Sequence, residues 1–217
     1  APSDILAQVD PRIAHVAKWL MSIGDAVAVA DVNNDGLQDI FLTYPLKARE
    51  YRAALYINKG DFQFVRHPIA ALDGYLADPK RQGLPSGALF LDYDNDGDQD
   101  LLVETSYGHT RLLQNRLAED ESLKFVDTGR QSQLRPYTVS QTAIALDVNR
   151  DGLLDVLVGN SINPVLEDYD EPTRFNIFAL PEPEYDGDRR MFNIMHRTWH
   201  DADNGGENIL FLNRDGT

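Results

Sequence analysis

The sequence predicts an all-β fold, in which about three four-stranded repeats form the blades of a partial β-propeller. Three observations support this. A unit of short apolar strand, nine-residue acidic loop and short apolar strand occurs three times, with loops beginning at Asp31, Asp92 and Asp147. A second strand–turn–strand segment follows each unit, which gives the four strands of a propeller blade. The apolar runs are strand-sized, far below the ~18 residues of a membrane-spanning helix.

The first element of each repeat is a hairpin around its acidic loop. The runs are Gly24–Thr43, Gly87–Val103 and Thr142–Val158, and each alternates apolar residues on both sides of the loop. Such alternation is typical of strands that bury one face. The second element contains an Asn-bearing turn and lies at Ala54–Val65, Arg111–Val126 and Asn208–Thr217.

These elements set the predicted boundaries. The chain divides into an N-terminal segment, 1–23, and three repeats at 24–80, 81–135 and 136–217, the last carrying an insertion at 159–207. Within the N-terminal segment, residues 13–21 fit either an amphipathic helix or an edge strand, and we favour the strand. The final hairpin turns at Thr217 without its return strand, so we expect the chain to be part of a longer polypeptide.

The acidic loops share the pattern Asp-x-(Asp/Asn)-x-Asp-Gly-x-x-Asp, which places oxygen ligands at positions 1, 3, 5 and 9. Glycine at position 6 turns the chain so that the carbonyl of position 7 faces inward. The predicted ligands are Asp31, Asn33, Asp35, Leu37 (carbonyl) and Asp39; Asp92, Asp94, Asp96, Asp98 (carbonyl) and Asp100; and Asp147, Asn149, Asp151, Leu153 (carbonyl) and Asp155.

All-oxygen ligand sets of this size suit Ca²⁺, so we expect about three ions, one per loop. An EF-hand shares the opening of the motif but requires Glu at position 12, where this chain has Leu42, Val103 and Val158. The alternative without metal is a set of Asx-rich hairpin turns.

Charge is concentrated in these loops. The chain has 35 acidic and 20 basic residues, a net charge of −15, and the predicted side-chain ligands carry ten negative charges. This excess disfavours nucleic-acid binding. The absence of cysteine excludes disulfides and thiolate zinc sites. Loops of this kind bind Ca²⁺ with dissociation constants of about 10⁻⁴–10⁻³ M, which indicates an extracytoplasmic location, whether secreted, periplasmic or on the cell surface.

The triple loop resembles the FG-GAP/VCBS repeat of integrin-α-like propellers. The segment Asp203–Thr217 is similar to the signature of the ASPIC/UnbV (cartilage-acidic-protein-like) branch. The resemblance implies a propeller of about seven blades, structural calcium, binding through blade loops and no shared catalytic residues.

Catalytic motifs are weak. The chain has no Gly-x-Ser-x-Gly elbow, phosphate-binding glycine loop or dinucleotide fingerprint. His196 and His200 lack the glutamate of a zinc-protease helix, and the acid pairs Glu167/Asp168 and Asp186/Asp188 fit solvated loops.

We therefore predict a non-enzymatic protein-binding or assembly module that contacts a protein partner through the insertion 159–207. Its aromatic residues either anchor that partner or pack against their own blade; they are Tyr169, Phe175, Phe178, Tyr185, Phe192 and Trp199. The alternative is a carbohydrate-binding or polysaccharide-lyase-type calcium propeller, in which Trp199 and His200 would contact a glycan.

Overall fold

The structure, a computed structural model of the chain, describes residues 5–21, 24–166, 169, 171, 173–191, 193 and 205–216. Strands predominate. They are β1 (Ala26–Ala30), β2 (Asp39–Thr43), β3 (Ala53–Asn58), β4 (Phe64–His67), β5 (Leu84–Leu91), β6 (Asp100–His109), β7 (Arg111–Asn115), β8 (Phe125–Asp127), β9 (Tyr137–Leu146), β10 (Asp155–Asn160), β11 (Val165–Leu166), β12 (Thr173–Arg174) and β13 (Ile209–Phe211).

The helices are short. The α-helices whose full range is described are α1 (Ala17–Leu20), α2 (Asp73–Ala77), α3 (Pro79–Gln82) and α4 (Leu117–Asp120), and 3₁₀ turns occupy Ile5–Gln8, Pro11–Val16, Arg49–Tyr51 and Ala70–Leu72. Within the described ranges, no helix has the length and apolar character needed to cross a lipid bilayer.

The first repeat folds as one antiparallel sheet with its strands in sequence order, β1-β2-β3-β4. In this sheet Val29 pairs with Ile40 and Ala30 with Asp39, so the acidic loop joins two directly paired strands. Alternate residues face opposite sides of a strand: Ala28 and Phe41 are buried, whereas Val27 and Val29 are exposed. The prediction of an antiparallel β-sheet is confirmed for this repeat.

The second and third repeats share one seven-stranded sheet. Strands β5 to β8 form a second four-stranded meander, and β10 pairs with both β9 and β13. The two units are joined because β6 extends past β7 and pairs with β9, with His109 opposite Tyr137. The first two repeats thus have four strands each. Among the described residues, the third repeat contributes three strands to this sheet.

Successive repeats pack face to face. One apolar cluster lies between the first and second repeats and includes Phe41, Leu55, Leu101, Val103 and Leu113. Another lies between the second and third, and includes Leu91, Leu102, Leu112, Val156 and Val158. A sheet that buries both faces against neighbouring sheets is the arrangement expected of propeller blades.

The described part of the N-terminal segment, residues 5–21, is mostly helical, so the preference for a strand over residues 13–21 was wrong. Its buried residues recur every four positions, the spacing of a helix face. Asp10 caps the turn that begins at Pro11 by accepting the Arg12 N–H at 3.0 Å. The residues on this face are Ile5, Val9, Ile13, Ala17 and Met21.

The insertion packs on that helical face. Phe175, Ile177 and Phe178 are buried in the same cluster as Ile5 and Ile13. Tyr169 is also buried, at 8% exposure, whereas Tyr185 is 57% exposed. Phe192 and Trp199 lie outside the described residues. For Tyr169, Phe175 and Phe178 the structure therefore favours packing within the chain over contact with a partner.

Candidate metal centre

Each acidic loop connects the first two strands of its repeat. Loop 1 (31–39) joins β1 to β2, loop 2 (92–100) joins β5 to β6, and loop 3 (147–155) joins β9 to β10. All three pairs of strands are antiparallel. The loops are thus hairpin connections, in keeping with the exclusion of an EF-hand, in which helices flank the loop.

The three loops have the same backbone conformation. In loop 1 the N–H groups at positions 5 and 6 donate to the two carboxylate oxygens of Asp31 at 3.1 and 2.7 Å. The same bonds measure 3.1 and 3.1 Å to Asp92 and 3.1 and 3.0 Å to Asp147. Position 6 has φ of 85°, 94° and 89°, a left-handed conformation that favours the glycine present in every loop.

Position 9 is fully buried in each loop. Asp39, Asp100 and Asp155 are all 0% exposed. One carboxylate oxygen accepts the N–H of position 2, and the other accepts the N–H of an asparagine on the second hairpin. The donors are Val32 (3.0 Å) and Asn58 (2.8 Å) for Asp39, Tyr93 (3.1 Å) and Asn115 (2.8 Å) for Asp100, and Val148 (2.9 Å) and Asn213 (2.8 Å) for Asp155.

Sequence reasoning missed these asparagines. Each side chain donates back to the carbonyl of position 8 in its own loop: Asn58 to Gln38 (3.0 Å), Asn115 to Gln99 (3.3 Å) and Asn213 to Leu154 (3.2 Å). Two of them also reach the preceding loop, where Asn115 binds the Val32 carbonyl at 2.9 Å and Asn213 the Tyr93 carbonyl at 2.5 Å. Their recurrence in the Asn-bearing turns was the signal that could have found them.

The predicted side-chain ligands come together most closely in loop 2. Oxygens of Asp92, Asp94 and Asp100 lie within 4.8 Å of one another, and so do oxygens of Asp94, Asp96 and Glu119. Among the described residues, loops 1 and 3 form no such group of acids, because position 3 is an asparagine there. Its amide instead donates to the carboxylate of position 5, at 2.9 Å from Asn33 and 2.8 Å from Asn149.

The electrostatics of loop 2 disfavour the ionised forms of Asp94, Asp98 and Asp100 when no cation is bound. Burial raises the pKa of Asp100 to about 8 and that of Asp98 to about 6, and nearby carboxylates add to both. Burial is also the main cause of the raised pKa of Asp94 and of Asp39. A divalent cation would reverse this preference, since opposite charge stabilises the ionised form.

Among the histidines and acid pairs considered for catalysis, some lie within the described residues and others do not. His196, His200, Glu167 and Asp168 lie outside the described residues. Asp188 contacts Arg190 at 2.6 Å, and the hydrogen bonds from Arg190 hold the pKa of Asp188 well below its usual range. An acid held ionised in this way is unsuited to proton donation.

Comparison with known proteins gives a family. The family described as FG-GAP-like repeat matches residues 31–103 and 92–158. Each match begins at position 1 of one loop and ends in the strand after the next loop, and together they span more than half of the chain. No curated protein matches the sequence. The repeated strand–loop–strand units and this match agree, and the chain belongs to the FG-GAP-like repeat family.

Proposed function

We propose that this chain is a calcium-stabilised, non-enzymatic module for protein binding and assembly, acting outside the cytoplasm. The observation that carries the proposal is the shared loop geometry, in which a buried aspartate at position 9 anchors each oxygen-rich loop to the second hairpin. We also propose the ASPIC/UnbV branch, because the sequence of residues 203–217 is similar to the signature of that branch.

Calcium fits the chemistry of the loops better than other cations. Positions 1, 3, 5 and 9 offer carboxylate or amide oxygens, and position 7 adds a carbonyl. Ca²⁺ takes six to eight such oxygens in flexible geometry, whereas Mg²⁺ keeps several waters. In this proposal one ion binds each loop, three in all, and fixes the hairpin between the first two strands of its repeat.

The non-enzymatic character follows the family, whose domains are generally non-enzymatic. The alternative, a carbohydrate-binding or lyase-type propeller, depends on Trp199 and His200. Both lie outside the described residues, and no described residue favours that alternative. The proposed extracytoplasmic location follows from affinity, since sites with dissociation constants of about 10⁻⁴–10⁻³ M fill only at extracellular calcium levels.

Assembly is supported by two apolar sheet faces. On the first sheet, Val27 and Val29 are 59% and 53% exposed. On β9 and β13, Ile144 and Leu210 are 50% and 47% exposed. Inside the chain, the equivalent faces of neighbouring repeats cover one another. The occupant that fits each exposed face is therefore another blade-type sheet.

Partner contact through the insertion 159–207 stays a prediction. The structure changes how it is tested, because Phe175, Ile177 and Phe178 belong to a core shared with the N-terminal helix. Each such side chain contributes about 1.5–3 kcal/mol by burial, so deleting the insertion would destabilise the chain as well as remove a surface. Substitution of exposed residues such as Tyr185 avoids this confusion.

The calcium proposal is tested by thermal unfolding. At about 10 mM Ca²⁺, a site with a dissociation constant of about 10⁻⁴ M adds about 2.7 kcal/mol of stability. We expect EDTA to lower the melting temperature and Ca²⁺ to restore it. Asp147→Asn should remove part of the gain, whereas the exposed Asp186→Asn, outside the loops, should keep all of it.

A melting temperature that is the same in EDTA and in Ca²⁺ would contradict the proposal. So would an equal response to Mg²⁺ and Ca²⁺, because the loops would then act as general screening sites for divalent ions.

A further inference from the structure

Loop 2 has acidic residues that the other two loops lack. Position 3 is Asp94, where loops 1 and 3 have Asn33 and Asn149, and position 7 is Asp98, where they have Leu37 and Leu153. Outside the loop, α4 adds Glu119. Oxygens of Asp94, Asp96 and Glu119 lie within 4.8 Å of one another. Asp94 also belongs to the group formed with Asp92 and Asp100, so it lies between two sets of carboxylates.

The buried side chain of Asp98 independently indicates a ligand beside these acids. It is 1% exposed, and its Oδ2 accepts the Ala118 N–H at 2.9 Å. Its Oδ1 is buried without a hydrogen-bond partner. Because Ala118 immediately precedes Glu119, this bond places the Asp98 carboxyl group against α4, next to the residue that contributes to the outer group of acids.

An unsatisfied buried oxygen is rare in native proteins, and a bound ion is one of its explanations. Asp94 has the same feature, since its Oδ1 is buried without a partner while Oδ2 accepts the Gln114 amide at 2.6 Å. The nearby cation Arg116 binds Glu119 at 2.7 Å and lies 3.9 Å from Asp120. One guanidinium cannot balance the four carboxylates of Asp94, Asp96, Asp98 and Glu119.

We propose that loop 2 binds a second divalent cation, of the hard, oxygen-preferring class of Ca²⁺, between Asp94, Asp96, Asp98 and Glu119. This inference rests on the proposed function, because Asp94 bridges the second ion to the one in the loop. The Asp98 carbonyl faces the first ion and its carboxylate the second. The second ion ties α4, and with it the hairpin β7–β8, to loop 2.

The test counts ions by native mass spectrometry in Ca²⁺. The wild-type chain should hold one ion more than its three loops provide. Glu119→Gln and Asp98→Asn should each lose that one ion and keep the others. The matched control is Glu121→Gln, an exposed residue at the end of α4, which should retain the full count. Circular dichroism checks that each variant is folded.

The possible counts separate the two proposals. Three ions in the wild-type chain, one per loop, would overturn the second site and leave the loop sites standing. No bound ion would overturn the calcium function as well. An extra ion that persists in both Glu119→Gln and Asp98→Asn would show that it binds elsewhere, which also overturns the site.

A second readout is independent of the count. Mn²⁺ should replace Ca²⁺, and two Mn²⁺ ions that share Asp94 should give a spin-coupled signal in electron paramagnetic resonance. Glu119→Gln should convert it to the signal of isolated ions. Isolated-ion spectra from the wild-type chain at full occupancy would overturn the bridged pair.

Discussion

Glu104 shows what a single buried acid does to this fold. It lies on β6, is 1% exposed, and its Oε2 has no hydrogen-bond partner. Gly87, its partner across the sheet, leaves the space that its carboxylate fills, since a Cβ there would collide with it. Burial raises the pKa of Glu104 from 4.5 to about 7.

This raised pKa predicts a pH-dependent cost. Below about pH 4.5 the side chain is neutral in both the folded and the unfolded chain, so burying it carries no ionisation cost. As the pH rises from there through about 7, the unfolded chain ionises more readily than the folded chain, and stability is lost. The loss is at most about 3 kcal/mol. We expect Glu104→Gln to increase the free energy of unfolding at about pH 8 and to change it little at about pH 4.5.

Urea unfolding at both pH values measures this effect. The exposed Glu50→Gln is the control and should leave both values unchanged. A Glu104→Gln variant with the same deficit or gain at the two pH values would show that packing, and not ionisation, governs the site.

At the scale of the element, Asn115 and Asn213 of the second hairpins couple one repeat to the next. Asn115 is 0% exposed and spans the Val32 carbonyl of loop 1 and the Gln99 carbonyl of loop 2. Asn58 is a natural comparison, because among the described residues its side-chain NH₂ group donates to the Gln38 carbonyl of its own loop and to no residue of another loop.

We expect Asn115→Ala to cost more stability than Asn58→Ala. The first substitution leaves one buried and one partly buried carbonyl without their donor, at about 1–3 kcal/mol for the buried one, and the second leaves one exposed carbonyl. Urea unfolding of the two variants gives the comparison. Equal losses would mean that the contact between repeats contributes nothing beyond the contact within each repeat.

The hairpins around the loops could be predicted because their signals are local. Alternation on both sides of Asp31, Asp92 and Asp147 fixed the strands, and Gly at position 6 fixed the turn. The strand predicted for residues 13–21 was wrong because the buried positions from Ile5 to Met21 repeat every four residues, the spacing of a helix face. That spacing is visible in the sequence.

Other features depend on contacts between residues far apart in the chain. The pairing of β6 with β9 joins residues 106–109 to 137–139. The sequence of neither strand indicates which strand it will pair with. Glu119 lies outside the loop motif and reaches Asp94 only through the packing of α4. The amino-acid composition of the insertion does not show which of its aromatic side chains are buried. Only the structure shows that Phe175 is buried and Tyr185 is exposed.

At the scale of the whole molecule, the two exposed sheet faces differ in a way that makes them complementary. The face of β1 that carries Val29 is equivalent to the face of the second repeat that packs on the first. The face that carries Ile144 and Leu210 is equivalent to the face of the first repeat that packs on the second. A second copy of the chain therefore offers each exposed face its natural counterpart, in a head-to-tail arrangement.

We expect the chain to self-associate in a concentration-dependent manner, measured by sedimentation velocity. Val29→Glu and Leu210→Glu should each weaken association, because a charge would be buried against an apolar face. Neither should change stability by more than about 0.5 kcal/mol, since both sites are exposed. The control Val126→Glu, on the middle repeat, should associate like the wild-type chain.

Mixing the two variants distinguishes head-to-tail contact from contact between identical faces. Val29→Glu keeps an intact Leu210 face and Leu210→Glu keeps an intact Val29 face, so their mixture should recover one interface and form heterodimers. If instead identical faces paired, the mixture would gain nothing over the separate variants, because no new combination of intact faces would arise. A wild-type chain that stays monomeric up to about 1 mM, where the free energy of association is only about −4 kcal/mol, would show that a second copy is not the sheet that covers these faces.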